Sequence, residues 1–304
     1  MEMPENQNPA NMKIAITGGT GFVGQAVSTQ LLDAGYRQIL VIARHVPQKS
    51  EKAGGVMFAS ADLTVSGDAC RVLAGCCAVI HLIGMIRPTR RQSFYKAHVT
   101  ATENVVYAMR QNGIKRLIHM SAAGTRDAAR SSYHRSKWLA EQIIMKSGLD
   151  FTIIRPSLIL GDRGEFTQML DAWAQGITPP YLFMPYFGGG VFGTRASLIA
   201  PVRVDDVAKL LQWCLDRPVS IGKIYELSGP RQFTWPDFLR LYAKTRHGRN
   251  RPALGIPVWL GKLLGRLPGL PFTSDQVIMA GEDNTASGQQ LKADMPDFFT
   301  REAI

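Results

Sequence analysis

The sequence predicts an α/β fold, a doubly wound parallel sheet with a small C-terminal lobe, on three features. A short apolar strand at Lys13–Thr17 runs straight into three glycines, Gly18, Gly21 and Gly24, and then into an amphipathic helix. Downstream, β-rich apolar runs alternate with helical segments through Ile154, a pattern that calls for right-handed crossovers between parallel strands. Beyond that point Pro179, Pro180, Pro185, Gly188 to Gly190 and Pro201 break the chain into short pieces.

The glycine run KIAITGGTGFVG, residues 13–24, reads as a phosphate-binding turn. Gly18 lets the chain leave the strand sharply, Gly21 lets the backbone approach a pyrophosphate, and Gly24 lets the helix pack closely on the sheet. The helix starts near Phe22, carries Val23, Val27, Leu31 and Leu32 on its apolar side, and closes at Gly35. Its free N–H groups and positive dipole end point at the anion. Gly18, Thr20, Gly21, Phe22, Val23 and Gly24 are therefore the candidate cradle of a dinucleotide.

Ile39–Ile42 is the second strand, and Arg44 follows it where the adenosine ribose would lie. A guanidinium there repairs the charge of a 2′-phosphate, so the reading favours NADP(H) and leaves NAD(H) open, the alternative being a solvated strand-end arginine. Val56–Ala59 is the third strand, with Asp62 placed to reach an adenine amino group and Leu63 beside it. Ala78–Leu82 is the fourth. Its carboxyl end belongs in the cofactor crevice, with Leu82, Ile83 and Gly84 along the ribose and His81 a satisfied sheet histidine. Arg87, Arg90 and Arg91 follow, either greeting an anionic substrate or simply solvated. A helix is expected over Phe94–Gln111 and strands over Arg116–Met120 and Phe151–Ile154, with Ser121 at the end of the fifth strand.

Tyr133 and Lys137 stand four apart at the start of a helix and so project from one face. An adjacent ammonium favours the phenolate and brings a group of ordinary pKa about 10 into the range of an acid–base catalyst. The same ammonium is suited to holding a nicotinamide ribose. On a solvated helix face the pair would mean nothing; its place after the dinucleotide half gives it weight.

Composition excludes other classes. The hydrophobic content of 45% and the absence of long apolar runs fit a globular chain without a membrane span. Cys70, Cys76, Cys77 and Cys214 show no metal-ligand spacing, so no metal is expected, and they suggest a reducing, cytoplasmic setting. The net charge of +11 is concentrated in an arm from Phe238 to Ser274, where Arg240, Lys244, Arg246, Arg249, Arg251, Lys262 and Arg266 occur without an acidic residue. Such an arm suits an acidic membrane surface, at the inner face of a membrane, or a protein partner; no nucleic-acid reader accompanies it.

These motifs resemble an extended or atypical short-chain dehydrogenase/reductase with a Rossmann fold. The resemblance rests on TGGTGFVG, Asp62-Leu63, HLIG at His81–Gly84 and YHRSK at Tyr133–Lys137. It continues through Arg155–Gly161, Pro201–Ala208 and Tyr225–Pro230, so that it spans about Met12 to Pro230. Within that superfamily the chain is most similar to the complex I 39 kDa subunit-like branch, through Gly161–Phe166 and Pro271–Val277. The resemblance implies NADPH binding, a cofactor set extended by Ser121, Tyr133, Lys137 and Pro156, and catalysis by Tyr133, Lys137 and Ser121. It also implies that some relatives are accessory subunits. Two departures weaken epimerase chemistry: Ala123 stands where a serine or threonine is usual, leaving Ser121 or Thr125 to substitute, and His98 stands where an asparagine is common.

The expected organisation is a disordered arm over 1–11, an NAD(P)-binding domain over 12–160 supplemented by elements from 196–228, and a substrate lobe with the basic arm over 161–304. Asp205 and Asp206 are expected to cap a helix. Leu260, Leu263, Leu264 and Leu267 are read as one helix face, docked or interfacial, and Lys262 and Arg266 as another. Function is left between an NADP(H)-dependent oxidoreductase or nucleotide-sugar epimerase-like enzyme acting on an unidentified small molecule, and a non-catalytic NADPH-binding accessory or assembly protein of a membrane respiratory complex.

Overall fold

The computed structural model describes residues 8–46, 54–89, 91–188, 196–267, 270, 272–298 and 300–304. Arg90, Gly189, Gly190, Pro271 and residues 1–7 of the expected N-terminal arm lie outside the described residues. Residues 8–11 of that arm are not loose: Pro9–Asn11 form a single 3₁₀ turn capped by the Asn8 side chain.

The first half alternates as the sequence requires. It runs β1 (Lys13–Thr17), α1 (Phe22–Asp33), β2 (Gln38–Ala43), β3 (Val56–Ser60), α2 (Ser66–Leu73) and β4 (Ala78–His81). Then come α3 (Ala101–Gln111), β5 (Arg116–Met120), α4 (Ser132–Met145), β6 (Asp150–Pro156) and β7 (Ile159–Leu160). The remainder is α5 (Glu165–Gln175), β8 (Met184–Gly188), β9 (Leu198–Ile199), β10 (Val202–Arg203), α6 (Val204–Asp216), β11 (Lys223–Leu227) and β12 (Phe233–Thr234). It closes with α7 (Trp235–His247), β13 (Ala253–Pro257), α8 (Val258–Leu264), α9 (Ser274–Ala280) and α10 (Gln289–Asp294).

Seven parallel strands form the central sheet in the order β11-β6-β5-β4-β1-β2-β3. The strand order reverses between β1 and β4, and the carboxyl ends of these two strands are where sheets of this kind bind their ligands. The sheet is Rossmann-like. One face is covered by α1 and α6 and the other by α2, α3 and α4, which is why its strands read as continuous apolar runs. A third apolar cluster, built on Leu170, Trp173, Phe238, Leu239 and Tyr242, belongs to the C-terminal lobe.

The turn after β1 follows the spacing of its glycines. Gly18 sits at φ +69°, where side chains other than glycine are strained. A Cβ on Gly24 would lie 2.4 Å from the Gly19 Cα, so only glycine lets α1 start this close to the strand end.

Four expectations are corrected. The helix expected over Phe94–Gln111 begins as a π-helix over Tyr95–Thr100 and becomes α only at Ala101; Ala101 N–H reaches back to the Lys96 carbonyl. Asp205 and Asp206 do not cap α6, whose N-cap is Arg203 without a side-chain bond. They lie in the first turn and bind arginines instead: Asp205 meets Arg203 and Arg301, and the buried Asp206 accepts Arg301 N–H at 2.8 Å, fastening the C-terminal tail.

The basic arm is also less uncompensated than its sequence suggests. Arg246 pairs with Asp162 and Asp171, and Arg240 lies 3.6 Å from Asp237. Arg249 and Arg251 donate to backbone carbonyls of α5 and the loop after it. The helix face expected over 260–267, finally, is broken: α8 ends at Leu264, its Lys262 and Leu263 are exposed while Leu260 and Leu264 are half-buried, and Arg266 and Leu267 are exposed in the turn that follows.

Candidate nucleotide and catalytic site

The cradle is an uncapped helix end. Gly21 is the N-cap of α1 and has no side chain to offer, and the first turn holds no acidic residue, so the leading N–H groups of Phe22 and Val23 face outward. Donors left without an intrahelical partner and the positive dipole end fit a pyrophosphate. Around this end the Phe22 ring lies against Gly161 and Gly164, leaving no room there for a side chain. Arg163 donates to Gln25 at 2.7 Å, and Gln25 in turn donates to the Thr20 carbonyl at 2.9 Å. The segment after β7 thus folds over the phosphate turn, a contact between residues some 140 positions apart that no local pattern shows.

Arg44 is exposed at the carboxyl end of β2. Asp62 begins the turn after β3: its Oδ1 accepts the Thr64 N–H and hydroxyl at 3.0 and 2.8 Å, and its other oxygen has no hydrogen-bond partner among the described residues. Leu63 and Leu82 bury their side chains in the two layers beside the sheet, so they offer a ligand only backbone. Gly84 is exposed, Ile83 half-buried and Pro156 buried at the end of β6.

Lys137 and Ser121 meet at the end of β5. The Lys137 ammonium is 2% exposed and donates to the Met120 carbonyl at 2.9 Å, immediately before Ser121. A Cβ built on Gly84 would lie 3.3 Å from the Lys137 Nζ, so the ammonium stands beside the strand end where the sequence places the ribose. Burial pulls its pKa down to about 8, against a smaller upward pull from Glu141. Glu141 itself is spent on Arg155, which it grips through both oxygens at 2.9 and 2.6 Å. Ser121 Oγ donates to Thr125 Oγ1 at 3.3 Å, so the two hydroxyls that stand in for Ala123 lie together.

Tyr133 behaves opposite to the tuning expected from its spacing to Lys137. Burial pushes the phenol up to about 12, because its ring is packed edge-on against Phe94, His98 and His134. The ammonium one turn away is directed at the Met120 carbonyl instead. Tyr133 is accordingly a neutral phenol, a proton donor to any stronger oxyanion and a poor base.

Two buried histidines have tautomers fixed by their partners. Met85 N–H donates to His98 Nε2 at 3.1 Å, and Ser136 donates its hydroxyl to the Tyr133 carbonyl at 2.7 Å. His98 must therefore carry its proton on Nδ1 and give it to Ser136 Oγ at 2.7 Å. By the same reasoning Thr17 donates to His81 Nδ1 at 2.7 Å, and His81 Nε2–H donates to Thr102, whose hydroxyl goes to the His98 carbonyl. Burial first, and the Lys137 charge second, hold His81 at about 3 and His98 at about 2. Both are neutral struts: His81 is satisfied as expected, and His98 ties the loop after β4 to α4.

Sequence reasoning missed Asp275. From α9 it reaches the start of α4, where Oδ1 accepts Ser132 N–H at 2.7 Å and Oδ2 accepts Tyr133 N–H at 3.0 Å. Ser131 caps His134 N–H at 3.0 Å, so the first turn of α4 is fully satisfied while that of α1 is open.

A family model described as NAD(P)H-binding matches residues 18–172. Over 295 residues the chain is 30% identical to NADH dehydrogenase (ubiquinone) 1 alpha subcomplex subunit 9, mitochondrial, of Arabidopsis thaliana, covering 92% of this chain and 70% of that protein. The chain belongs to this family of NAD(P)H-binding proteins. The chain is also 27% identical to a ceramide reductase of Caulobacter vibrioides, over 75% of this chain and 68% of that protein. The family fold is also that of an NADPH-dependent quinone oxidoreductase of Escherichia coli complexed with NADPH, with a TM-score of 0.74 at 19% identity over 95% of this chain and 96% of that one.

The buried ammonium gives a stability test. Its folded pKa of about 8 lies below the unfolded value near 10.4, so between those values the unfolded chain binds the extra proton and stability rises with pH. Below pH 8 the burial costs on the order of 3 kcal/mol. Urea unfolding of nucleotide-free protein across this window should show a rise in wild type that is absent in Lys137→Met, with the variant the more stable at pH 7.

Proposed function

We propose that this chain is an NADPH-dependent reductase of a carbonyl or quinone compound, with Tyr133 as the proton donor. The observation that carries the reading is the neutral phenol packed one turn from the Lys137 ammonium: held up to about 12 by burial, Tyr133 is suited to protonating an alkoxide and poorly suited to abstracting a proton. Bound NADPH supplies the hydride. Ser121, paired with Thr125, orients the substrate oxygen, and Lys137 holds the nicotinamide ribose hydroxyls and offsets charge developing on that oxygen. The rings of Phe94 and His98 pack against the phenol ring and hold it in place. The 27% identity to a ceramide reductase supports the direction of transfer, and nucleotide-sugar epimerisation, which needs a base, is disfavoured by the raised phenol.

A second reading is an NADPH-binding accessory protein of a membrane respiratory complex. What favours it is the 30% identity to a complex I subunit over 92% of this chain.

Arg44 is exposed at the end of β2, suited to a 2′-phosphate, and among the described residues no carboxylate pairs with it. Arg44→Ala should weaken NADPH binding by roughly 1.5 to 3 kcal/mol and leave NADH unchanged in calorimetric titration. Equal losses for both nucleotides would contradict the assignment.

Tyr133→Phe keeps the ring packing and deletes the hydroxyl. Nucleotide affinity should survive, while single-turnover oxidation of bound NADPH by a panel of carbonyls and quinones should slow by about a hundredfold or more. No oxidation by any panel member in wild type would favour the accessory reading, and equal rates in the two proteins would end the role of Tyr133.

A further inference from the structure

We propose that α8 and the turn after it dock this chain on the surface of an anionic lipid bilayer. Trp259 and Leu263, four residues apart on α8, are 69% and 56% exposed and share one helix face, and Leu267, 58% exposed in the turn that follows, adds a third apolar side chain at that end. Lys262 and Arg266, also exposed, fall within the same stripe. The opposite side is committed: a Cβ on Gly261 would meet Phe187 at 2.8 Å and Val277 at 2.9 Å, which fixes α8 on β8 and α9 with the mixed stripe outward.

The chemistry of the stripe selects the occupant. Leucine and tryptophan beside lysine and arginine suit the headgroup boundary, where apolar tips enter the acyl region while the cations remain at the phosphates. A protein interface depletes lysine from its centre, and a two-fold contact with a second copy would set Lys262 and Arg266 close to their own equivalents. Neither cation forms an ion pair among the described residues, and no Asp or Glu occurs from 238 to 274. The inward commitment of Arg246, Arg249 and Arg251 leaves Lys262 and Arg266 as the cations aligned with the apolar ridge. Among the described residues no helix is long and apolar enough to cross a membrane, so the contact is one of lying on the surface.

Docking there has a consequence for the cleft. α9, packed along α8, carries the Asp275 carboxylate that holds the first turn of α4, so the docked face and Tyr133 belong to one connected block.

The test is co-sedimentation of the full chain with vesicles of phosphatidylcholine, alone or mixed with phosphatidylglycerol, at low and high salt. Binding to the anionic vesicles should be roughly tenfold tighter or more at low salt, and salt should weaken it. The pair Lys262→Glu and Arg266→Glu should erase the preference. The pair Leu263→Ser and Leu267→Ser should lower binding about tenfold or more. All four positions are exposed, and retained NADPH binding by each variant confirms its fold. No sedimentation with anionic vesicles at low salt, or sedimentation unchanged in both variants, would overturn the proposal. So would a wild-type dimer that the leucine pair converts to monomer without altering sedimentation, since the face would then belong to a second copy.

Discussion

A lysine ammonium closed off from water is the constraint on which the cleft depends. Lys137 has one carbonyl partner, Met120, and its burial is costly enough to pull the pKa down to about 8. Everything near it is consistent with a single positive charge. His81 and His98 stay neutral, Glu141 is held away by Arg155, and Tyr133 keeps its proton. A charge retained at such cost beside a strand end is suited to a ligand that brings oxygen atoms to it.

Two helix ends divide the remaining work. The start of α1 has no side-chain cap, which leaves its donors for phosphate, while the start of α4 is saturated by Ser131 and by Asp275 from the C-terminal arm. The second arrangement makes the position of Tyr133 depend on a residue more than 140 positions away. The C-terminal lobe is therefore part of the site's construction as well as its cover. Arg163 makes a similar closure over the phosphate turn through Gln25.

The sheet was legible because its evidence is local. Runs such as Ile39–Ile42 and Arg116–Met120 carry their burial in their own composition, and the spacing of Gly18, Gly21 and Gly24 encodes a turn whose close approach depends on those residues alone. The four-residue separation of Tyr133 and Lys137 likewise placed them near one another. Spacing gave no information on where each polar group finds its partner. Lys137 is directed at Met120, so Tyr133 is left to the effect of burial; Asp205 and Asp206 bind arginines from other segments; the cations of 238–251 meet α5. The relay from Met85 through His98 to Ser136, and the Asp275 cap, join distant segments whose meeting is decided by packing. The four leucines of 260–267 do not form one helix face, because α8 ends at Leu264 and Gly261 is the residue that touches the lobe.

The account's central claim is that Lys137 is a strained, nucleotide-seeking charge. Its most direct test is an NMR titration of the Lys137 ε-methylene in selectively labelled protein, free and saturated with NADPH. The free protein should titrate near 8, and the nucleotide, by adding oxygen partners to the ammonium, should move that midpoint upward by about a unit or more. A midpoint at the ordinary lysine value in the free protein, or one that NADPH leaves unmoved, would contradict it.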